Sequence, residues 1–516
     1  MAHGQLHVLL QDAPYTDDPL ALFAALTQPG DNSMLLESAE IDTKAGTQSL
    51  LMLDACVRLV CRHHQVTLTA LNANGLPALN LVEQALGGER TGHQLLVTLP
   101  QADDNLDEDS RLKAPSVLHT LRLILTRFTA NQGQQHLFMA GTFSYDLIAS
   151  FEQLPDVSEG INNCPDFCFY LAETLVTLDH KKETGRLSAS VFDPTEQPRL
   201  QARLDQLAGA CGQVHPEPKA GERLEGKIQA SKSDAEFRAD VVNLKEHILA
   251  GDIFQVVPSR SFSLPCPHPL AAYRKLKQTN PSPYLFYVND QDFTLFGASP
   301  ESSVKFDHHS RQVEMYPIAG TRKRGINPDG TINLDLDGRI ELDLRQDAKE
   351  TAEHLMLVDL ARNDIARISE PGSRYVKDLL SVDRYSHVMH LVSRVVGTLR
   401  HDLDALHGYQ ACMNMGTLTG APKISASELI RQVEKQRRGS YGGAVGYVNG
   451  LGDMDTCIVI RSAFVSDGVA HVQAGAGVVY DSHPQSEADE TRNKAAAVLN
   501  AIALAHGTTL AEVSHD

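Results

Sequence analysis

Residues 443–474 read Gly443-Ala-Val-Gly-Tyr447, then Thr456-Cys-Ile-Val-Ile-Arg-Ser-Ala-Phe-Val465, then Val469-Ala-His-Val-Gln-Ala474. Asn449-Gly450 and Ser466-Asp-Gly468 separate the three runs. Apolar runs rich in β-branched and aromatic residues, punctuated by such turn residues, are antiparallel strands of a meander. Thr456-Val465 is apolar on both faces and is expected to be one sandwiched strand, with Arg461 on a buried face. A buried guanidinium needs an anionic partner, and a carboxylate suits it best. An internal Asp or Glu satisfies that need as readily as a ligand does.

Upstream, short strands are expected at residues 253–257 and 261–264, broken by Pro258, and at 284–288, 293–296 and 303–306, with a turn at Asn289-Asp290. Helical spacing covers residues 235–250, stopped by Gly251, then 344–368, and a last helix over 486–505. Nearer the N-terminus, residues 95–99, 174–178 and 187–192 read as strands and 117–128 as a helix. Between 194 and 231 the texture is proline-rich and charged, with one helix near 199–208, which marks a connection. The expected organisation is therefore residues 1–193, a connecting segment 194–231, and a second domain 232–506. Strand clusters without βα alternation imply an α+β fold, with antiparallel β-sheets packed as a sandwich and helices outside.

The chain has 516 residues and a formal net charge of −19. That balance argues against a nucleic-acid partner but not against a small anion met by a few cations in one cleft. No run approaches the roughly 18 apolar residues of a membrane span, and Met1-Ala-His-Gly-Gln lacks a signal's basic start. The eight cysteines lack metal-ligand spacing and read as reduced structural thiols of a cytoplasmic protein.

Three further features carry chemistry. Gly475-Ala476-Gly477 leaves backbone N–H groups open to close approach, as an anion nest does, although glycine in a strand also marks a bulge. Glu490 and Lys494 are four apart on the last helix and share a face, as solvated pairs also do. Glu350 and Glu353 lie one turn apart on the 344–368 helix. Carboxylates from two helices, with water and a substrate oxygen, make a Mg2+ site.

Ile253-Phe-Gln-Val-Val-Pro-Ser-Arg260, Gly297-Ala-Ser-Pro-Glu301, Pro317-Ile-Ala-Gly-Thr-Arg322, the Glu353-His-Leu-Met-Leu-Val-Asp-Leu-Ala-Arg-Asn-Asp364 run, Gly416-Thr-Leu-Thr-Gly-Ala-Pro-Lys423 and Ser486-Glu-Ala-Asp-Glu-Thr-Arg-Asn-Lys494 occur in order. Together they resemble the chorismate-utilising enzymes. Leu35-Leu-Glu-Ser-Ala39 and Asn280-Pro-Ser-Pro-Tyr284 narrow the resemblance to the anthranilate synthase large-subunit branch, over nearly the whole chain.

The resemblance implies a Mg2+-dependent lyase that makes anthranilate and pyruvate from chorismate and ammonia. It implies that Glu353 and Glu490 bind Mg2+. Gly320, Thr321, Tyr441, Arg461, Gly475, Ala476, Gly477 and Lys494 would hold chorismate. Glu301 would protonate the departing hydroxyl, Thr417 would line the site, and His390 would be the base of the second step. Residues 1–193 would be regulatory, with Glu37, Ser38, Pro283, Tyr284 and Leu285 binding L-tryptophan as feedback inhibitor. The absence of Trp suits a chain made when tryptophan is scarce.

Relatives that add another nucleophile carry Lys where this chain has Ala319, a methyl group that neither attacks nor activates water. An external nucleophile, ammonia, is then required. No cysteine sits in a Gly-x-Cys-x-Gly elbow, so glutamine hydrolysis is assigned to a partner, the glutamine amidotransferase subunit, in a heterotetramer of two chains of each. His387 and His390, three apart, are expected on a helix, where one could simply cap a backbone group. Two alternatives stay open: a synthase that stops at aminodeoxyisochorismate, and a catalytically silent sensor chain.

Overall fold

The computed structural model describes residues 4–38, 48–101, 105–385 and 388–514. Helices and strands are mixed, and the strand pairings are antiparallel except one, between Gly4–Ala13 and Phe128–Ala130. The long strand Gln48–Arg62 pairs along its length with Phe167–Asp179, through several register shifts. Both are buried on two faces, so their sequences show little alternation.

Strands from the two halves of the chain are hydrogen-bonded into one connected sheet. Ser33–Glu37 lies between Gln48–Arg62 and Tyr284–Asn289, pairing Met34 with Met52 and Glu37 with Leu285. Phe138–Phe143 pairs with Ala444–Asn449, Gly141 opposite Gly446. A core cluster including Met34, Tyr170, Phe286, Val445 and Phe464 draws on both halves. Arg58 reinforces the first seam by gripping Asp290 with two bonds of 2.8 Å.

Residues 194–231 hold the helix Gln197–Cys211 and a short strand, Gln229–Ala230, that joins Ser259–Pro265. The helix Asp234–Ala250 opens with a capping box between Ser233 and Glu236 and ends at Gly251, φ +84°. Two expected elements are each divided. The 344–368 helix is two, Leu334–Gln346 and Ala348–Ala366, parted at Asp347, whose carboxylate accepts from the Lys349 and Glu350 N–H groups. Apolar spacing runs through the break, and the cap decides it. The strand expected over 456–465 is also two, Met454–Ile458 and Ser462–Ser466.

All eight cysteines are buried, and none forms a disulfide among the described residues. Among the described residues no helix is long and apolar enough to cross a membrane.

Candidate active site

The division at 459–461 makes the site. Arg461 takes φ +49° there, left-handed backbone that costs a non-glycine residue about 1–2 kcal/mol. Its side chain therefore lines a cleft of about 540 Å3 together with Thr321, Tyr385, His390, Asn280 and Ser282. No ion pair to Arg461 occurs among the described residues, so an internal carboxylate is not its partner. Burial pushes its pKa down, while Tyr441, Glu490 and Glu301 oppose that at longer range. A desolvated cation without a counter-ion favours an anionic ligand.

His390 sits on a strand, Val388–Thr398, not on the expected helix, and His387 lies outside the described residues. Val388, Val392, Val395, Val396 and Thr398 are stiff at χ1 and favour a pleated surface. This strand pairs with Ile318–Lys323, setting Thr321 opposite His390 and Ala319 opposite Leu391. His390 Nδ1 is 3.0 Å from Thr321 Oγ1 and 3.3 Å from the Gly320 carbonyl oxygen. Gly320 has φ +72°, and a Cβ there would press on Leu344 and Glu350 at 3.1 and 3.2 Å. Burial, with Arg461 adding to it, pushes the imidazole down to about 4.

Glu301 lies between the strands Thr294–Ser299 and Ser302–Asp307 and is buried. Burial pushes its carboxyl up to about 8, against the Thr417 hydrogen bond and the charges of Lys494 and Arg461. The Thr417 hydroxyl donates to it at 2.9 Å. Both line a smaller hollow of about 300 Å3, walled by Leu357, Leu360 and Met415. Pro300 lines the larger cleft, so the two spaces adjoin at Pro300-Glu301.

Gly475 ends the strand Val469–Gly475, opposite Ser259. A Cβ on it would stand 2.8 Å from the Pro258 carbonyl and 2.9 Å from the Tyr441 hydroxyl, so glycine allows both approaches. The Ala476 N–H is used on the Pro258 carbonyl at 3.1 Å. The Gly477 N–H has no partner among the described residues. Lys494 Nζ donates to the Gly475 carbonyl at 3.0 Å and pairs with Glu490 at 2.5 Å.

Glu353 is on the helix Ala348–Ala366 and Glu490 on Pro484–Ala505. Burial raises the Glu353 pKa, and the carboxylates of Glu350, Glu487 and Glu490 raise it further. Glu487 is also pushed up, by burial and by Glu490. Lys349, 3.8 Å from Glu353, and Lys494 offset part of this negative charge, and the carboxylates that remain suit a hard divalent cation. No group of three His, Cys, Asp or Glu at ligating geometry occurs among the described residues. Two protein carboxylates plus substrate and water oxygens are enough for Mg2+, which keeps several non-protein ligands. Glu350 is drawn instead to Arg322 at 2.9 Å.

Sequence reasoning passed over Glu487 and Tyr385. Glu487 had a signal, since it lies three residues before Glu490 on one helical face. Tyr385 had none; its ring meets His390 edge-on at 5.3 Å.

The residues expected to bind an effector gather at the seam between the halves. Glu37 is the register partner of Leu285 and is held by Lys277 at 2.5 Å and the Tyr273 hydroxyl at 2.7 Å. The Ser38 hydroxyl accepts from the Gln48 N–H at 3.2 Å. Pro283 is buried, and Tyr284 donates to Asp455 at 3.0 Å. Ala39, in the same motif, lies outside the described residues.

A family model described as chorismate binding enzyme matches residues 86–500. The anthranilate synthase component 1 of Vibrio cholerae is 57% identical over 508 residues, covering 97% of both chains. That of Escherichia coli is 56% identical over 508 residues, covering 97% of this chain and 98% of its own. The crystal structure of anthranilate synthase component I from Streptococcus pneumoniae aligns with a TM-score of 0.67 at 30% identity, covering 89% of this chain and 94% of that one. The menaquinone-specific isochorismate synthase of Escherichia coli shares the fold, with a TM-score of 0.67 at 17% identity over 97% of this chain and 95% of its own.

The chain belongs to the chorismate-binding enzymes. Within that family its full-length relatives place it in the anthranilate synthase component 1 branch, the large subunits.

Proposed function

We propose that the chain converts chorismate and ammonia to anthranilate and pyruvate. The observation that carries this reading is the opposite displacement of two groups. Burial holds Glu301 up at about 8 and His390 down at about 4. At neutral pH one is therefore a protonated acid and the other a neutral base. Titratable groups driven apart by their environments mark acid and base assignments.

Glu301 delivers its proton to the departing ring hydroxyl as ammonia bonds to the ring carbon next to the one bearing the carboxylate. Ala319 leaves that approach free. Water leaves, and the product of this step is aminodeoxyisochorismate. His390 then takes the proton from the amine-bearing carbon, the enolpyruvyl C–O bond breaks, and the ring aromatises as pyruvate departs. With Nδ1–H directed at the Gly320 carbonyl, Nε2 keeps the lone pair for that role. Arg461, Tyr441, Lys494 and the Gly475–Gly477 backbone bind the substrate carboxylates, and Gly320 and Thr321 close the wall around the ring.

Glu353 and Glu490 would hold Mg2+, which supplies a positive anchor for the ring carboxylate. Ammonia would come from glutamine through a glutamine amidotransferase partner, two of each chain, in the cytoplasm. L-tryptophan would bind at Glu37, Ser38, Pro283, Tyr284 and Leu285 and inhibit. Residues 1–193 would be the regulatory part and 232–506 the catalytic part, with the shared sheet folded as a sandwich. The test is product identity. Purified chain with chorismate, Mg2+ and ammonium at alkaline pH forms fluorescent anthranilate and an equal amount of pyruvate.

A further inference from the structure

Arg438 is among the largest fully buried side chains of the described residues, 1% exposed, and it lines neither the larger cleft nor the smaller hollow. Its Nε and Nη2 grip the Glu434 carboxylate at 3.0 and 2.6 Å. Its Nη1 donates to the Leu418 carbonyl at 2.8 Å, and Nη2 to the Val257 carbonyl at 2.6 Å. The guanidinium also lies over the Tyr441 ring, 5.5 Å from its centre. Glu434 Oε1 in turn accepts from both the N–H and the hydroxyl of Ser259, each at 2.8 Å.

These partners lead to different parts of the site. Leu418 follows Thr417, whose hydroxyl holds Glu301. Ser259 stands across the strand pair from Gly475. A buried ion pair is a weak source of stability, because desolvation offsets its attraction and an apolar pair of similar volume often serves as well. Its value then lies in the geometry it imposes.

We propose that Arg438 and Glu434 are a positioning pair with two separable arms. The Arg438 arm fixes the Thr417 turn against Glu301. The Glu434 arm fixes the Ser259 strand, and through it the Gly475–Gly477 backbone that receives a substrate carboxylate. This rests on the assignment of Glu301 as acid and of that backbone as carboxylate holder.

The arms predict opposite kinetic signatures. Arg438→Lys keeps a cation for Glu434 but cannot span both carbonyls. It is expected to lower kcat about 10-fold; because the Val257 carbonyl lies two residues before Ser259 and the guanidinium covers Tyr441, KM for chorismate rises as well, by no more than about 3-fold. Glu434→Gln is expected to raise KM about 10-fold with kcat within about 2-fold. Ser259→Ala removes the hydroxyl's bonds to Glu434 and to Gln473 Nε2, the latter at 2.8 Å, keeps the Ser259 N–H bond to Glu434, and should raise KM about 3-fold. Steady-state kinetics with chorismate, ammonium and Mg2+, alongside thermal unfolding of each variant, read these out. A purely structural pair would change kcat and KM together, in proportion to the loss of Tm, and that pattern overturns the proposal. An unchanged KM in Ser259→Ala contradicts the Glu434 arm even if the ion-pair variants fail to fold. Failure of the unaltered chain to turn over chorismate would instead refute the proposed function.

Discussion

Thr321 and His390 face each other in register on neighbouring strands, and their side chains meet, Oγ1 to Nδ1, at 3.0 Å. The contact fixes the ring on its Nδ1 side, where the Gly320 carbonyl also waits at 3.3 Å. The opposite nitrogen is left for proton transfer. In the proposed mechanism a histidine held this way by its strand partner would be a base of fixed orientation.

That arrangement predicts a split of the reaction. His390→Gln keeps a polar side chain of similar size but has no basic nitrogen. Amination should continue and pyruvate release should fall by about 100-fold or more, the lower range for a lost general base. Chromatography of the products checks it. Accumulated aminodeoxyisochorismate is the expected outcome, and equal loss of both steps assigns His390 to structure.

Glu301 predicts a pH effect on stability as well as rate. Burial pushes its pKa up to about 8 in the folded chain, from the 4.5 of an unperturbed glutamate. The folded state therefore holds the proton more tightly. Stability is fully present below 4.5 and is lost as pH rises through about 8. Glu301→Gln cannot ionise, so its Tm should exceed that of the unaltered chain by a margin that widens from pH 5 toward 8, while amination is lost. A constant Tm difference across that range would show that the carboxyl ionises normally.

The metal assignment predicts that Glu353→Gln and Glu490→Gln each abolish turnover at ordinary Mg2+. Each removes charge from a site with few protein ligands. Titrating Mg2+ against rate is the check, and a normal half-saturation in either variant excludes that residue as a ligand.

Regulation predicts that Ser38→Arg relieves inhibition by L-tryptophan and spares turnover. The change crowds the seam beside Glu37, the register partner of Leu285. An inhibitor at the seam can act only by binding two states with different affinity, so its effect must be reciprocal with chorismate. Inhibition curves for both proteins decide. An unaltered chain indifferent to millimolar tryptophan, or equal sensitivity in the variant, removes the effector assignment.

Much of this was legible in the sequence where one rule dominated. Gly251 ends its helix, Pro258 breaks its strand, and the two turns of the 443–474 meander fall where Asn449-Gly450 and Ser466-Asp-Gly468 stand. The reading slipped where two rules competed. At His390, spacing of three argued for a helix, yet the valines around it favour a strand, and pairing on both sides makes it one. At Arg461, nothing local announces a left-handed residue inside an apolar run; the cleft geometry requires it. Gln48–Arg62 escaped notice because burial on both faces erases the period of two. That the charges of Glu487 and Glu490 reach Glu353 from another helix is a tertiary relationship that spacing cannot supply.

The most direct test of the central claim is the fluorescence of anthranilate formed by the purified chain alone from chorismate and Mg2+, with ammonium at alkaline pH in one sample and glutamine in the other. The account predicts steady anthranilate formation with ammonium and none with glutamine until the amidotransferase partner is added. No anthranilate with ammonium, or robust use of glutamine by the single chain, would contradict it.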